Sequence, residues 1–329
     1  MRYVLGIDQG GTKTLALVTD EEGRILGMGR SGGACHSYHG MEPAMARVQE
    51  AVAGALEESG LTLSDISAVG AGLTGLDWDY EKELLATQLQ TRLGIRKVLA
   101  VNDCIIALRA GTRSSRGCVL CAGTGFNCAV RRDPEHEIVY GYYISDHHQG
   151  GRALGQQVLG AVLHAHLGLG EPTALTEAVY DRFDVHDPDT LLYRMVSGEI
   201  GNDEAASLAP LLDKIAGEKD PVACRILENF GRELARYGVA AMRKLDLLEE
   251  PLEIVLSGSV FKCKSPDLME GVRQEFSKAA PNAVMVNARF EPVVGAALIA
   301  LDEIRGEVTP EIYDNIEAAG GRFPILRQA

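Results

Sequence analysis

The sequence is poor in aromatic residues, which make up 5 % of its 329 residues and include a single tryptophan. It is also poor in positive charge, because 32 Lys and Arg residues stand against 46 Asp and Glu, a net charge of −14. Duplex nucleic acid and anionic membranes are bound mainly through clustered Lys and Arg side chains. The charge balance therefore argues against both as the main partner, whereas 46 % hydrophobic residues suffice for a globular core.

Long hydrophobic runs are missing as well. No apolar stretch reaches the roughly 20 residues that span a bilayer. The apolar run at the N-terminus ends at Asp8, too early for the hydrophobic region of a signal peptide. The seven cysteines are scattered and odd in number, which favours reduced thiols over a disulfide framework. Together these absences indicate a cytoplasmic protein.

Three common signatures are also absent: a Walker A loop, a dinucleotide-binding fingerprint, and His or Cys pairs at metal-ligand spacing on a helix. Cys118 and Cys121 are three positions apart, but on a predicted strand they face opposite sides, which favours core thiols. His36 and His147, each near a second histidine, are interpreted as substrate-binding or simple loop residues rather than metal ligands.

The hydropathy pattern predicts an α/β protein in which one strand–turn–strand unit occurs twice. The first unit has apolar strands at 3–8 and 14–19 around a glycine turn, and a third strand is predicted at 24–28. The second unit has strands at 117–122 and 127–131 around a similar turn, with a third strand at 137–143. This weak internal duplication predicts two related domains that face each other.

We expect an N-terminal domain at 1–112 and a C-terminal domain at 113–329. A mostly helical pattern predicts an insertion at about 153–245 within the second domain. The polar segment 307–329 is interpreted as a helix followed by an extended tail that docks on the body.

The first glycine turn follows a strand that ends in a carboxylate, in the order Asp8, Gly10, Gly11, Thr12 and Lys13. Glycines allow backbone N–H groups to approach a phosphate closely, and the Thr and Lys side chains add further donors. A nearby carboxylate such as Asp8 can hold Mg²⁺, usually through water. A plain glycine hairpin with a solvated Asp remains the alternative.

The second turn, Gly123-Thr124-Gly125, offers the same chemistry, so two such turns on opposed domains could clamp a triphosphate. Between the turns, Asn102-Asp103 lies at the end of a strand and the start of a helix. Asp103 is placed either as the base that accepts a proton from an attacking hydroxyl or as a helix N-cap, and the roles are compatible.

Ser257-Gly258-Ser259 marks another strand end, where a residue without a Cβ allows the backbone to approach a flat base. An ordinary loop glycine is the other interpretation of Gly258. The order and spacing of the four motifs resemble the actin-like ATPase superfamily, and most closely the BadF/BadG/BcrA-type ATPases, which include N-acetylglucosamine and glucosamine kinases. The resemblance covers about residues 1–300.

The resemblance implies two actin-like (ribonuclease H-like) domains around an interdomain cleft, with ATP and Mg²⁺ as cofactors. It implies that Asp8 is the Mg²⁺-associated carboxylate, that Asp103 is the catalytic base and that Asn102 beside it contacts substrate. The phosphate- and nucleotide-binding residues would be Gly10, Gly11, Thr12, Lys13, Gly123, Thr124, Gly125, Gly258 and Ser259. It also implies close crossing of two connecting helices, near Ala107 and at 292–300, and a homodimer as a candidate assembly.

The sugar-binding loops depart from the pattern of the amino-sugar kinases. Cys35, followed by His36, stands about where those kinases carry an Asn, and in the second loop Asp146 matches whereas His147 replaces a Glu. We predict that these four residues contact the sugar. The departures leave the preference for an N-acetyl group unspecified.

The sequence thus predicts an ATP-dependent kinase that transfers the γ-phosphate to a hexose, with an amino sugar as the expected acceptor. The alternative is a BadF-type activator that couples ATP hydrolysis to a partner protein. Those activators are shorter and usually carry Gly-Gly-Gln-Asp where this chain has Ser257-Gly258-Ser259-Val260. A regulator that senses a sugar without catalysis is a third hypothesis, and the presence of Asp103 argues against it.

Overall fold

The structure, a computed structural model, describes residues 1–327, so the last two residues of the predicted tail lie outside the described part. It has two five-stranded mixed sheets with helices between and around them. This α/β architecture agrees with the predicted fold class. No helix in residues 1–327 combines the length and the apolar character needed to cross a membrane.

The first sheet has the strand order β3-β2-β1-β4-β5. Its strands are β1 (Tyr3–Gln9), β2 (Lys13–Asp20), β3 (Ile25–Gly32), β4 (Ile66–Leu73) and β5 (Val98–Asn102). β1, β2 and β3 form an antiparallel meander, whereas β4 and β5 run parallel to β1. The carboxyl ends of β1, β4 and β5 therefore meet at one edge of the sheet.

The second sheet repeats this topology with the order β10-β9-β6-β7-β8. Its strands are β6 (Gly117–Ala122), β7 (Phe126–Asp133), β8 (His136–Val139), β9 (Glu253–Ser257) and β10 (Val284–Asn287). Again three strands form an antiparallel meander and two run parallel to the first. The predicted internal repeat is confirmed at the level of strand order.

The third strand predicted at 137–143 was too long. β8 ends at Val139, and a 3-10 turn occupies Gly141–Tyr143. The turn needs a left-handed residue, because Gly141 has φ +46° and a Cβ there would lie 2.5 Å from the carboxyl carbon of Asp77. The apolar pattern of residues 137–143 did not indicate that the strand ends at Val139. In the first sheet β3 runs to Gly32, four residues beyond its predicted end.

Thirteen α-helices lie within the described residues. They are α1 (His36–His39), α2 (Met41–Ser59), α3 (Asp79–Leu93), α4 (Asp103–Gly111), α5 (Gly150–Leu167), α6 (Leu175–Phe183), α7 (Pro188–Val196), α8 (Asn202–Ala206), α9 (Ala209–Gly217), α10 (Pro221–Lys244), α11 (Pro266–Ala279), α12 (Pro292–Arg305) and α13 (Pro310–Ala318). The mostly helical segment predicted after residue 153 corresponds to α5 through α10.

Two helices cross between the sheets, as predicted for the connecting helices. α4 and α12 pack so closely that a Cβ on Gly295 would overlap the carbonyl oxygen of Ile106. α12 also packs on the first sheet, where a Cβ on Gly70 would overlap the carbonyl oxygen of Ala296. Such close approach of helix and strand backbones requires residues without side chains. The crossing brings the edges of both sheets to one cleft.

The C-terminal segment docks on the first sheet. Ile312 and Ile316 of α13 are buried in the same cluster as Leu15 and Leu17 of β2. Farther on, Leu326 forms a single antiparallel bridge with Phe290. This packing holds the C-terminal segment against the first sheet. The division into domains at residue 112 remains a prediction.

Candidate active site

A cleft of about 1340 Å³ opens between the carboxyl edges of the two sheets. Its walls come from both halves of the chain, and its volume exceeds the range of about 300–1,000 Å³ typical for one small ligand. The cleft brings together a subset of the predicted site residues. Those that line it are Asp8, Gly11, Thr12, Asp103, Thr124, Gly125, Asp146 and His147.

The first turn presents unbonded backbone donors to the cleft. Gly10 closes the turn by donating its N–H to the carbonyl oxygen of Lys13 at 2.9 Å. The N–H groups of Gly11 and Thr12 have no hydrogen-bond acceptor among residues 1–327, and both residues are exposed. Gly33 packs beneath the turn, where a Cβ would overlap the backbone of Gly11 and Thr12. Free N–H groups in a tight turn suit an anion.

The second turn has the same arrangement, but different residues support it. Gly123 donates its N–H to the carbonyl oxygen of Gly125 at 2.9 Å, while the N–H groups of Thr124 and Gly125 have no acceptor within the described chain. The start of α5 supports the turn, because Gly151 donates its N–H to the carbonyl oxygen of Gly123 at 2.8 Å. Gly150 at φ +52° allows this contact, since a Cβ there would overlap the carbonyl oxygen of Gly125.

Two carboxylates face these turns from the first half. Asp8 is the second-last residue of β1 and Asp103 is the first of α4, and both are partly buried. Burial raises the pKa of Asp8 to about 7, assisted by repulsion from Asp103 and opposed by Lys13. Burial also raises the pKa of Asp103 to about 6, assisted by repulsion from Asp77. A carboxyl group with its pKa near 6 can exchange a proton under physiological conditions.

The uncompensated charge at Asp8 fits a divalent cation. Burial and the neighbouring Asp103 raise its pKa despite Lys13 and Arg327, so a bound cation would favour the ionised form. No cluster of three or more His, Cys, Asp or Glu ligands occurs in residues 1–327. Mg²⁺ does not need one, because it commonly binds one or two carboxylates and completes its shell with phosphate oxygens and water.

Asp77 was missed in the sequence, although it lines the cleft beside Asp103. Its carboxylate accepts a hydrogen bond from the amide of Asn102 at 2.9 Å. Burial raises its pKa, with repulsion from Glu81 as the next cause. Asp77 comes four residues after β4, at the sheet edge shared with Asp8 and Asp103. That position could have identified Asp77 as a site residue, because the carboxyl ends of parallel strands commonly form binding sites.

Three residues predicted to touch the sugar lie behind the cleft wall. Asn102 is buried and caps α4 by accepting the N–H of Cys104 at 2.8 Å, so it positions its neighbours. Cys35 is buried with its thiol directed at the carbonyl oxygen of Thr74 at 3.4 Å. The Nε2 atom of His36 lies 3.1 Å from Glu81. None of the three lines the cleft, and their sugar contacts remain predictions.

Five of the predicted phosphate or nucleotide residues also lie off the cleft surface, Ser259 among them. Lys13 points away toward Glu291 at 3.5 Å. Gly258, at φ +106°, packs so closely on Ala122 that a Cβ would overlap its carbonyl oxygen. The other two are Gly10, which closes the first turn, and Gly123, which closes the second. The contact with Ala122 by itself accounts for a glycine at position 258.

Ser257 and a polar second wall line the remaining cleft surface. Ser257 lines the cleft in place of Gly258 and Ser259. Asn127 accepts the N–H groups of Cys128 and Gly141 with its side-chain oxygen, which leaves its NH₂ group available. The wall from α5 and α8 adds neutral amides, namely Gln149, Gln156, Gln157 and Asn202. Besides these amides, the second half contributes Asp146, His147 and Arg152 to the cleft lining.

Comparison with known proteins places the chain among sugar-phosphorylating relatives. The model of the BadF/BadG/BcrA/BcrD ATPase family matches residues 5–300. The N-acetylmuramic acid/N-acetylglucosamine kinase of Clostridium acetobutylicum is 24 % identical, over 92 % of this chain and 99 % of that protein. The N-acetyl-D-glucosamine kinase of Dictyostelium discoideum is 26 % identical, over 91 % and 97 % of the two chains.

A solved structure supports the fold. The ROK family glucokinase from Streptomyces griseus, solved in complex with glucose and AMPPNP, superposes with a TM-score of 0.53 at 23 % identity. The match covers 91 % of this chain and 99 % of the glucokinase. The arrangement of two sheets around a cleft is therefore that of sugar kinases with the actin-like ATPase fold.

Proposed function

The chain belongs to the BadF/BadG/BcrA/BcrD ATPase family, and from that premise we propose that it is an ATP-dependent sugar kinase. Its acceptor is a hexose, with an amino sugar such as N-acetylglucosamine or glucosamine as the expected substrate. One observation carries the proposal: Asp103, with its pKa raised to about 6, shares a single cleft with two turns that present unbonded N–H groups.

In the proposed reaction, the carboxylate of Asp103 accepts the proton of a sugar hydroxyl as that oxygen attacks the γ-phosphorus of ATP. The bond from the γ-phosphorus to its bridging oxygen breaks, and ADP leaves with the electron pair. The N–H groups of Gly11, Thr12, Thr124 and Gly125 hold phosphate oxygens in line with the attack. Positioning and charge stabilisation are the main requirements of phosphoryl transfer.

Asp8 would hold Mg²⁺, through water, at the end of β1. When bound, Mg²⁺ neutralises charge on the phosphates. The contribution of the chain is to keep a partly buried carboxylate at the floor of the cleft without a saturating ion pair. Asp77 and Asp146, on opposite walls, are available to accept hydroxyl groups of the sugar.

The test is a panel of N-acetylglucosamine, glucosamine, N-acetylmuramic acid, N-acetylmannosamine and glucose with ATP and Mg²⁺. ADP is measured by a coupled assay and the phosphorylated sugar by mass spectrometry. We expect ADP release that depends on sugar and equals phosphosugar formed. ATP hydrolysis of the same rate with and without every sugar would refute the kinase proposal and favour the activator alternative.

A further inference from the structure

Four of the scarce aromatic side chains gather at the mouth of the cleft. The aromatic rim consists of Tyr38, Trp78, Tyr142 and Tyr143, which are 74 %, 43 %, 51 % and 74 % exposed. Trp78 is the only tryptophan of the sequence. Tyr38 and Tyr142 line the cleft itself. Large aromatic side chains exposed together at the edge of a polar cleft indicate a binding surface.

The rim is assembled from both halves of the chain. The rings of Trp78 and Tyr142 stack with centroids 6.2 Å apart and planes 23° apart. Tyr143 meets Trp78 edge-on at 6.4 Å. Trp78 and Tyr143 therefore support Tyr142, which lines the cleft. Aromatic pairs in such geometry hold each other more firmly than burial alone would.

A buried carboxylate holds the first-half side of the rim in place. Glu81 accepts the N–H groups of Asp77 and Trp78 at 3.0 and 3.1 Å. It also lies 3.1 Å from the Nε2 atom of His36, which begins α1, the helix that carries Tyr38. Glu81, which is 7 % exposed, thus fixes the backbone beneath Trp78 and Tyr38. This arrangement is a preorganised surface.

The other side of the rim is fixed just as firmly. Gly141 donates its N–H to the side-chain oxygen of Asn127 at 2.9 Å, and Tyr143 donates its N–H to the carbonyl oxygen of Tyr140 at 2.8 Å. The close approach of Gly141 to Asp77 brings Tyr142 beside Trp78. The rim therefore begins next to Asp77, a carboxylate that faces the acceptor region.

We propose that the aromatic rim is a subsite for a second pyranose ring, so that the acceptor is a disaccharide or another glycoside larger than one sugar. The inference rests on the proposed sugar kinase function and extends it to the size of the substrate. The C–H face of a pyranose is apolar and packs on aromatic rings, while its hydroxyl groups remain free for carboxylates and amides.

The first experiment compares N-acetylglucosamine with its β-1,4-linked disaccharide as phosphate acceptors. We expect the native protein to have the higher kcat/KM for the disaccharide. Tyr142→Ala, or Tyr38→Ala in a second variant, should lower the disaccharide-to-monosaccharide ratio of kcat/KM about tenfold. Tyr193→Ala is the matched control, because Tyr193 is 68 % exposed on α7, outside the residues that line the cleft. That variant should leave the ratio unchanged.

The second experiment needs no catalysis, because Trp78 is a built-in fluorescent reporter. The disaccharide, titrated without ATP, should change the emission of Trp78 with a Kd about tenfold below that of the monosaccharide. Tyr142→Ala should remove that difference. Equal Kd values for the two sugars, or a rim variant that weakens both equally, would overturn the subsite.

The two experiments separate the two proposals. Selective disaccharide binding without phosphorylation of any sugar would retain the rim subsite and refute the kinase. Phosphorylation of the monosaccharide, with no response of Trp78 to the disaccharide, would support the kinase and refute the rim subsite. An emission change that follows protein concentration, with a matching change in sedimentation, would overturn the subsite and assign the rim to contacts between copies of this chain.

Discussion

Asp8 lies near the end of the first strand of one sheet, whereas the buried Leu120 occupies the corresponding position, relative to the Gly-Thr turn, in the other. The helix after the last strand of each sheet, α4 after β5 and α12 after β10, also differs in the carboxylate at its start. α4 begins with Asp103, whose pKa is raised to about 6. α12 follows Glu291, which is paired with Lys13 at 3.5 Å and Arg327 at 3.2 Å.

The comparison shows how a duplicated topology divides one reaction. The first half supplies three carboxylates to the cleft, Asp8, Asp77 and Asp103, whereas the described residues of the second half supply mostly neutral groups such as Asn127 and one carboxylate, Asp146. Both halves retain a glycine turn with unbonded N–H groups, as the proposed clamp on the phosphates requires. Glu291 precedes α12 in the second half, but it is paired with Lys13 and Arg327 and is not among the residues that line the cleft.

The largest effect is expected from Asp103→Asn, which removes the proton acceptor while keeping the shape of the side chain. We expect kcat to fall about 10³-fold, with ATP binding nearly unchanged, measured by steady-state kinetics and calorimetry. Glu291→Gln is the matched control in the second half, and should change kcat by less than about tenfold because partly exposed ion pairs contribute little. Similar losses in both variants would contradict the division of roles.

The next effect concerns the glycines that support the two turns. Gly33→Ala and Gly150→Ala should each raise the KM for ATP by about 10- to 100-fold, because the new Cβ displaces the turn backbone. Gly150→Ala should be the more severe, since its φ of +52° adds strain.

Gly160→Ala provides the control for these variants within the second half. It lies inside α5, and a Cβ there has no neighbour within 4 Å. Alanine at this partly exposed helical position should leave the KM for ATP unchanged and stabilise the helix slightly. An unchanged KM in both Gly33→Ala and Gly150→Ala would show that the turns do not hold phosphate.

Local pattern was enough to predict the strand–turn–strand repeat, the helical segment, and the position of Asp8 and Asp103 near strand ends. These features depend on neighbouring residues, because a strand end followed by glycines sets its own geometry. Asp77 depends instead on the parallel pairing of β4 between β1 and β5, a long-range contact that no local spacing encodes. The break after β8 likewise follows from the approach of Gly141 to Asp77 across the cleft.

The positions of Cys35 and His36 could not be predicted for a related reason. Both lie at the start of a four-residue helix, too short for a periodicity that would show which side faces the cleft. Gly258 was associated with the adenosine site from its motif, whereas its φ of +106° and its contact with Ala122 already require glycine. A motif glycine can thus reflect packing as well as ligand approach.

The pH dependence gives the third prediction. Asp103 accepts a proton only when ionised, and its pKa is raised to about 6. With Mg²⁺ saturating, so that Asp8 stays ionised, kcat/KM should be constant above that pH and fall about tenfold per pH unit below it. The measurement is kcat/KM for the sugar between pH 5 and 8 at saturating ATP and Mg²⁺. The Glu291→Gln variant should keep the same profile, and a profile flat down to pH 5 would argue against Asp103 as the base.

The smallest effect is on stability. It distinguishes Asp103 from Glu291 without any assay of activity. A folded-state pKa near 6 against an ordinary 3.8 means that folding disfavours ionised Asp103, so stability is lost as pH rises from about 4 to about 6. At pH 8 the neutral amide of Asp103→Asn should therefore raise the free energy of unfolding by about 1–3 kcal/mol.

This gain corresponds to a Tm about 2–6 °C higher for the ligand-free protein, measured by calorimetry. The difference should vanish near pH 4, where the native carboxyl group is protonated in the folded state. Glu291→Gln should not raise the Tm at pH 8, because Lys13 and Arg327 already compensate that carboxylate. Destabilisation by Asp103→Asn at pH 8 would mean that Asp103 is held for structure. Stabilisation combined with a loss of kcat is the result expected of a carboxylate kept in the cleft for catalysis at a cost in stability.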